Sequence, residues 1–443
     1  MLRTPRRLPV VLTGLAVALS VTAACTPAPA PAPVASPGVE PSGDVELWHF
    51  FTENEAKTVD AIIADFEAKY PKVHVKIKGG EDDTKVVQAI GAGTGPDVAI
   101  SYSTDIVGKF CATGGWIDLT PYIERDKVNL DAMPPVVRSY TEFRGKRCAM
   151  PFLADAYGFY YNKKLLSDAG FTAPPKTLDE LTDMAKKLTV RKPDGTIQRA
   201  GFLPLWGFYE NSPAHFGPMV GAKWLNGDGT SAVGSDPAWQ TLLKWQKDLV
   251  DWYGYAQLDK FRATLGDEWS ADNAFQKGQV AMAVDGEWRM SQAFLRGQAP
   301  TLDFGVAPLP VSDASRYGAG YITGNVIGVS RTAKNPEAAW ALVKYLTMDT
   351  QAQVKLSNGI RNVPTVTSAL TSPDLTADPE FKTFLDIFAN PQSGTTPPSA
   401  VGPAYQETFQ TFLDSYQSGK KTDLAAGLSD VDKQVNQLIK LAG

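Results

Sequence analysis

Short apolar runs and helical apolar stripes alternate along the first hundred residues, and their order predicts a fold class. Residues 44–50, DVELWHF, are rich in β-formers and predict a first strand. Thr52 with Glu55 reads as a capping box opening a helix in which Val59, Ile62, Ile63 and Phe66 share one face, up to Pro71. Residues 73–77 alternate as a second strand, Val86, Val87 and Ile90 mark a second helix, and 97–100 form a third strand. The order βαβαβ predicts right-handed crossovers and a mostly parallel sheet in an α/β fold. Ligands of such sheets sit outside the carboxyl ends of the strands. The loops just past those ends make His49, Glu53, Ser101 and Asp105 candidate contacts.

Residues 152–161 read as a further strand, rich in aromatic and apolar residues, with Asp155 set between Ala154 and Ala156 where a buried strand favours Val or Ile. That carboxylate is either a ligand contact or a satisfied buried Asp. Asn162 opens a helix over 163–169, Gly170 closes it and Pro174-Pro175 forbids continuation. Thr177 with Glu180 is a second capping box, followed by Leu178, Leu181, Met184, Ala185 and Leu188 on one face. Between 201 and 224 the chain is dense in rings, among them Trp206 and Tyr209, with Glu210 and Asn211 beside them as polar partners. These rings serve either a core or a binding cleft, where aromatics give large contact area with few rotors to freeze. Helices are predicted over 237–252, 268–277 and 335–348, and near 377–389, 403–417 and 421–441.

Six stretches, in order, resemble elements of one family. These are the YNK…PPKT segment from Tyr161 to Thr177, where Leu178 stands in place of the usual Trp, Gly95-Pro96-Asp97, and the segment from Gly115 to Tyr122 with its DLTPY end. The others are the run anchored by Phe275, Gly278, Ala281, Met282, Gly286 and Trp288, the FGVAPLP segment 304–310, and NPEAAW at 335–340. Together they resemble the extracellular sugar-binding proteins of ABC importers, the maltose-binding-protein-like family 1. The resemblance implies a two-lobed, periplasmic-binding-protein-like α/β fold with mostly parallel sheets flanked by helices, a hinge and a central ligand cleft. It divides the chain into a first lobe, 44–153 plus 304–350, and a second, 154–303 plus 351–443. It also implies that Asp155 faces ligand, that Trp288 stacks on a sugar ring, that 304–310 returns the chain to the first lobe, and that Tyr405 presents an aromatic to ligand. Gly320 beside Tyr321 would let backbone amides approach a ligand closely. Arg361 is either a ligand clamp, since its planar fork suits vicinal hydroxyls or an anionic group, or a surface salt bridge.

The implied function is capture of a sugar or oligosaccharide by hinge closure, for delivery to the transmembrane subunits of an ABC permease. Glycerol phosphate, a glycerophosphodiester or a polyol is the alternative ligand. A secreted glycoside hydrolase is a weaker alternative, because Asp155, Asp285 and Glu287 are carboxylates near rings, but no local catalytic pattern accompanies them. The three histidines, His49, His74 and His215, lack metal spacing, and no CxxC, GxSxG or phosphate-cradling loop occurs, so no cofactor, metal or catalytic residue is expected.

Composition narrows the setting. With 443 residues the chain suits two domains, and 21% charged with 43% hydrophobic residues is ordinary for a globular protein. Residues 1–24 read as a signal peptide, with Arg3, Arg6 and Arg7 before an apolar run and small residues before Cys25. That junction resembles a bacterial lipobox, which would make Cys25 the lipidated first residue of the mature protein. Removing the leader leaves 40 basic against 48 acidic residues, a net charge of −8, and no basic stripe points to nucleic acid. Residues 25–43 are Pro/Ala-rich and predict an extended tether that holds the folded part off the outer face of the cytoplasmic membrane. The membrane would be met through that anchor only, by a monomer. Cys111 and Cys148 remain as an even pair in an exported chain, which predicts a disulfide worth about 3–4 kcal/mol.

Overall fold

One long strand, β4 (Met150–Asn162), runs through the middle of the computed structural model, which describes residues 34–442. The expected signal peptide and Cys25 lie outside those residues. From Met150 to Ala156, β4 pairs antiparallel with β9 (Ile322–Val329), ending with Ala156 opposite Ile322. From Tyr157 onward its antiparallel partner is β7 (Val280–Gly286), with Tyr157 opposite Gly286. β8 (Phe304–Ala307) pairs with the same second half, Asn162 facing Phe304.

Beyond β9 lie β3 (Val98–Ser101), β1 (Gly43–Trp48) and β2 (Val73–Lys78). β1 runs parallel to both β2 and β3, as the βαβαβ order requires, while β3 meets β9 antiparallel. Beyond β7 lie β6 (Ile197–Phe202), parallel to it, and the short β5 (Val190–Arg191).

The principal helices are α1 (Glu53–Lys69), α2 (Asp83–Gly91), α3 (Ile106–Thr113), α4 (Leu178–Leu188), α5 (Pro213–Val220), α6 (Pro237–Tyr253), α7 (Pro336–Met348), α8 (Thr350–Ile360), α9 (Pro379–Ala389), α10 (Ala404–Gln417) and α11 (Leu424–Leu441). α1 buries the predicted stripe of Val59, Ile62, Ile63 and Phe66, and α4 begins with the predicted capping box of Thr177 and Glu180. Thr52 precedes α1 without a side-chain cap, which leaves Glu55 free for another role. The helix predicted over 268–277 is absent. Asp267 Oδ1 takes the Trp269 amide at 2.9 Å, Ser270 Oγ the Asp272 amide at 3.1 Å, and Asn273 Oδ1 the Phe275 amide at 3.0 Å. Such short local bonds compete with the helix ladder and fold the segment into turns instead.

Two apolar clusters flank the sheet. The first gathers β1, β3, β9 and the start of β4 with Phe66, Trp116 and Trp340; the second gathers α4, β6, β7, α6 and α10 with Trp206, Trp239 and Phe409. Their membership cuts across the expected lobe boundaries, since the first cluster also takes Tyr160, Phe275, Met290 and Leu295. α8 and α9 give Val354, Ile360, Phe381, Phe384 and Ile387 to the first cluster, and Lys355 of α8 ion-pairs with Asp65 of α1 at 2.5 Å. After residue 351, Tyr405 is the first buried residue to join the second cluster. β8 pairs with the second half of β4 while Phe304 and Val306 pack against the first cluster. Cys111 of α3 and Cys148, just before β4, form the predicted disulfide, with Cα atoms 5.5 Å apart. Among the described residues no helix is long and apolar enough to cross a membrane.

Candidate functional site

The place where β4 changes partners is also where ionisable groups and rings accumulate. Asp155 and Tyr157 flank Ala156, the last residue paired with β9, and both are buried. The amide of Ala156 is taken by Glu287 Oε2 at 2.8 Å, and Glu287, with no exposed surface, sits directly after β7. Asp155 accepts a hydrogen bond from Asn362 Nδ2. Burial raises the Asp155 carboxyl, Asn362 opposes the rise, and the charge of Glu55 on α1 adds to it. Glu55 itself is pushed up to about 7 by burial. Burial, and then the charge of Asp155, holds Glu287 well above the usual carboxylate range.

Rings form the adjoining wall. The Tyr157 ring stacks on His215 of α5 at 3.9 Å, meets Trp288 edge-on at 5.4 Å and lies 5.5 Å from Tyr321, whose hydroxyl bonds Thr396 Oγ1 at 2.9 Å. Burial pushes the His215 imidazole down to about 4, so it is neutral at pH 7. Trp288 depends on the glycine two residues before it. A Cβ at Gly286 would come within 2.0 Å of the Trp288 ring, so only glycine lets the indole fold back over the backbone. Its Nε1 has no partner among the described residues.

A second group of carboxylates continues the surface. Oxygens of Glu210, Glu268 and Asp285 lie within 4.8 Å of one another. Arg289, 1% exposed, donates from Nε to Asp285 at 2.6 Å and from Nη1 to the Glu268 carbonyl at 3.1 Å, with Nη2 3.5 Å from Glu268 Oε1. Burial and mutual repulsion push Glu210 and Glu268 upward, against the pull of Arg289. Glu210, Glu268 and Asp285 thus share the Arg289 guanidinium, while Asp155, Glu55 and Glu287 form a separate group of carboxyls raised by burial. Because burial favours their protonated forms, these carboxyls can both donate to and accept from ligand hydroxyls.

Residues 52–353 match the profile of the family described as bacterial extracellular solute-binding protein. The chain belongs to that family. Curated relatives include a maltotriose-binding protein of Pyrococcus abyssi, 27% identical over 343 residues, covering 76% of this chain and 70% of that one. A probable ABC transporter-binding protein of Deinococcus radiodurans is also 27% identical, over 344 residues, with coverages of 76% and 79%. Among solved structures, CpMnBP1 with mannotriose bound superposes with a TM-score of 0.79 at 24% identity, over 88% of this chain and 99% of that one. The GacH receptor of Streptomyces glaucescens gives 0.70 at 25% identity, over 90% and 99%. The two-lobed α/β architecture is that of these binding proteins.

In this solute-binding protein the partner change in β4 brings together Asp155, Glu210, Trp288 and Tyr321 from the sequence-derived candidates. Others go elsewhere. Trp206 lies in the second cluster against Phe216, and Asn211 donates from Nδ2 to the carbonyls of Leu203 and Leu205 at 2.7 and 3.3 Å, so both are structural. Tyr209 places its hydroxyl between the Gly266 carbonyl at 2.7 Å and the Ala274 amide at 3.1 Å, and its ring lines a separate cavity. Tyr405 is buried against Trp224 with its hydroxyl on the Pro397 carbonyl at 2.9 Å. Arg361, expected as either a ligand clamp or a salt bridge, sits in an ion pair. It bonds Asp378 at 2.6 Å and covers the Phe381 ring at 4.4 Å, inside the first cluster. The Gly320 amide is already held by Ser393 Oγ at 2.9 Å.

In the first lobe, His49 is buried beside Phe51, Ser101 Oγ donates to Asp83 Oδ2 at 2.7 Å, and Glu53 is exposed at the start of α1. Asp105 accepts from Gln406 and Thr396. Sequence reasoning missed Glu55, Tyr157, His215, Glu268 and Arg289 as parts of the site. Tyr157 was detectable, since it lies two residues from Asp155 and therefore on the same face of the strand. The others come from four separate elements and carried no local signal.

Proposed function

We propose that this chain is the substrate-binding lipoprotein of an ABC importer, capturing a neutral sugar or oligosaccharide outside the membrane by hinge closure and delivering it to a permease. The observation that carries this reading is the convergence of Tyr157, His215, Tyr321 and Trp288 with the carboxylates of Asp155, Glu210 and Asp285 where β4 passes from one lobe to the other. Rings offer apolar faces to a pyranose, and carboxylates accept from its hydroxyls. A maltotriose-binding relative supports the same ligand class.

Closure follows from contacts made on both sides of the partner change. A ligand touching α1 on one side and Trp288 on the other favours the closed form only by its differential affinity for that form. Glycerol phosphate and glycerophosphodiesters are disfavoured because the buried guanidinium beside these rings, Arg289, is already engaged by Asp285 and Glu268 and is not offered to a phosphate. No turnover is expected, and Cys25 is the proposed lipid attachment point, holding a monomer at the outer face of the cytoplasmic membrane. The test is calorimetry of the full chain against mono- and oligosaccharides, polyols and glycerol 3-phosphate, with product analysis after incubation. Saturable binding of a neutral sugar without hydrolysis supports the proposal. Exclusive binding of the phosphate ester, or release of shorter sugars, overturns it.

A further inference from the structure

Tyr321, whose ring stands 5.5 Å from that of Tyr157, also lines a cavity of about 190 Å³. The cavity lies between the end of α5 and two connecting stretches of chain. The stretch from β8 to β9 supplies Arg316 and Tyr321, and the one from α9 to α10 supplies Gln392, Gly394 and Thr395. Its volume is below the roughly 300–1,000 Å³ of drug-sized ligands, so it suits a compact molecule. Of the eleven residues lining it, Arg316 alone is charged. In a chain of net charge −5, a cavity with one cation and no carboxylate reverses the general balance and sets the sign of what it can hold.

Arg316 is half-buried and weakly partnered. Its Nε meets the Pro218 carbonyl and its Nη2 the Gln392 carbonyl, both at 3.4 Å, where a charge-assisted bond to an anion closes to roughly 2.7–2.9 Å. Its Nη1 is bonded to nothing among the described residues. Arg125, Arg289 and Arg361 pair with carboxylates at 2.7, 2.6 and 2.6 Å, whereas no described carboxylate pairs with Arg316. Asp313, three residues earlier, is exposed and takes the Ser315 amide at 3.0 Å instead. Gly221, left-handed at the end of α5, presents bare backbone to the guanidinium, and a Cβ there would come within 2.9 Å of its central carbon. A planar fork held lightly in place, with donors to spare and no acid of its own, is pre-set for an oxyanion.

We propose that this cavity is a second binding site, distinct from the sugar cleft, for a compact oxyanion gripped by Arg316. The inference does not depend on what the cleft binds. The test is calorimetry of the full chain at matched ionic strength, with inorganic phosphate, acetate and succinate as probes, on wild type, Arg316→Lys, Arg316→Gln and Trp288→Ala. Wild type is expected to bind at least one probe saturably, phosphate marking a phosphoryl ligand and acetate or succinate a small carboxylate. Arg316→Gln should weaken that binding about ten-fold or more. Arg316→Lys, which keeps the charge and loses the fork, should fall between, and Trp288→Ala should bind as wild type does. The same anion should raise the unfolding temperature of wild type and not that of Arg316→Gln, which reads the site even in a less stable variant. Absence of saturable binding of all three probes, undiminished binding by Arg316→Gln, or loss in Trp288→Ala, which would seat the anion in the cleft, overturns the proposal. None of these outcomes touches sugar capture, which is read by the sugar titrations.

Discussion

Asp105, at the head of α3, accepts a hydrogen bond from Gln406 Nε2 of α10 at 2.7 Å, which ties the first apolar cluster to the second. Thr396 Oγ1 adds another at 3.1 Å, and the backbone of Ser399 passes so close to Gly108 that a Cβ there would meet it at 2.2 Å. A hydrogen bond to a charged group contributes about 1.5–3 kcal/mol. Gln406→Leu is therefore expected to shift the ligand-free protein toward an open form, seen as a larger radius of gyration in solution scattering. Apparent sugar affinity should fall in step with the closed population. A scattering profile identical to wild type would remove the latch role.

Trp288 is expected to act through its ring. Trp288→Ala should weaken sugar binding by about 1–2 kcal/mol, read by calorimetry. Gly286→Ala tests the same ring without touching it, because the added methyl occupies the space the indole needs. It should reduce affinity by a similar factor. Normal affinity in Gly286→Ala would assign Trp288 to packing alone.

Glu55 sets a pH dependence. Its carboxyl rises from 4.5 to about 7 on folding, mainly through burial. The folded protein thus holds a proton that the unfolded chain releases, so the stability linked to this group is present below about pH 4.5 and lost as pH rises through 7. Glu55→Gln removes that loss. Its unfolding temperature should exceed wild type at pH 8 and converge with it near pH 4.5. The lowered His215 acts in the opposite sense, costing stability as pH falls from 6.5 toward 4, but it does so equally in both proteins. A constant difference across pH would contradict the assignment.

Arg361 should matter for stability and not for ligand. Arg361→Ala loses the bond to Asp378, the bond to the Thr376 carbonyl and the cover over Phe381, a cost of about 2 kcal/mol. Denaturant unfolding should show that loss with sugar affinity unchanged. Weaker binding by a well-folded variant would return Arg361 to the site.

These outcomes mark what one-dimensional reading can reach. The strands, the stripe on α1 and the capping box on α4 were legible because each is set by neighbours within a few residues. Asp155 and Trp288 drew notice as candidates for a related reason, one as an anomaly in a strand and the other within a dense motif. The helix expected over 268–277 failed because Asp267, Ser270 and Asn273 bond their own backbone, an outcome that apolar spacing does not register. The partners of Arg361 and Tyr405, Asp378 and Trp224, were not legible because they lie on segments whose approach only the tertiary fold sets. The same holds for α9, which was expected as a helix with no sign of which cluster would receive its apolar face.

The continuity of β4 has a consequence for how this protein comes apart. Its thirteen residues are a central strand for both halves of the sheet, so melting either half strips the other of a neighbour it cannot replace. Calorimetric heating should give a single endotherm, and fragments cut near residue 156 should not persist separately. A machine that works by swinging two pieces is held together by a beam common to both.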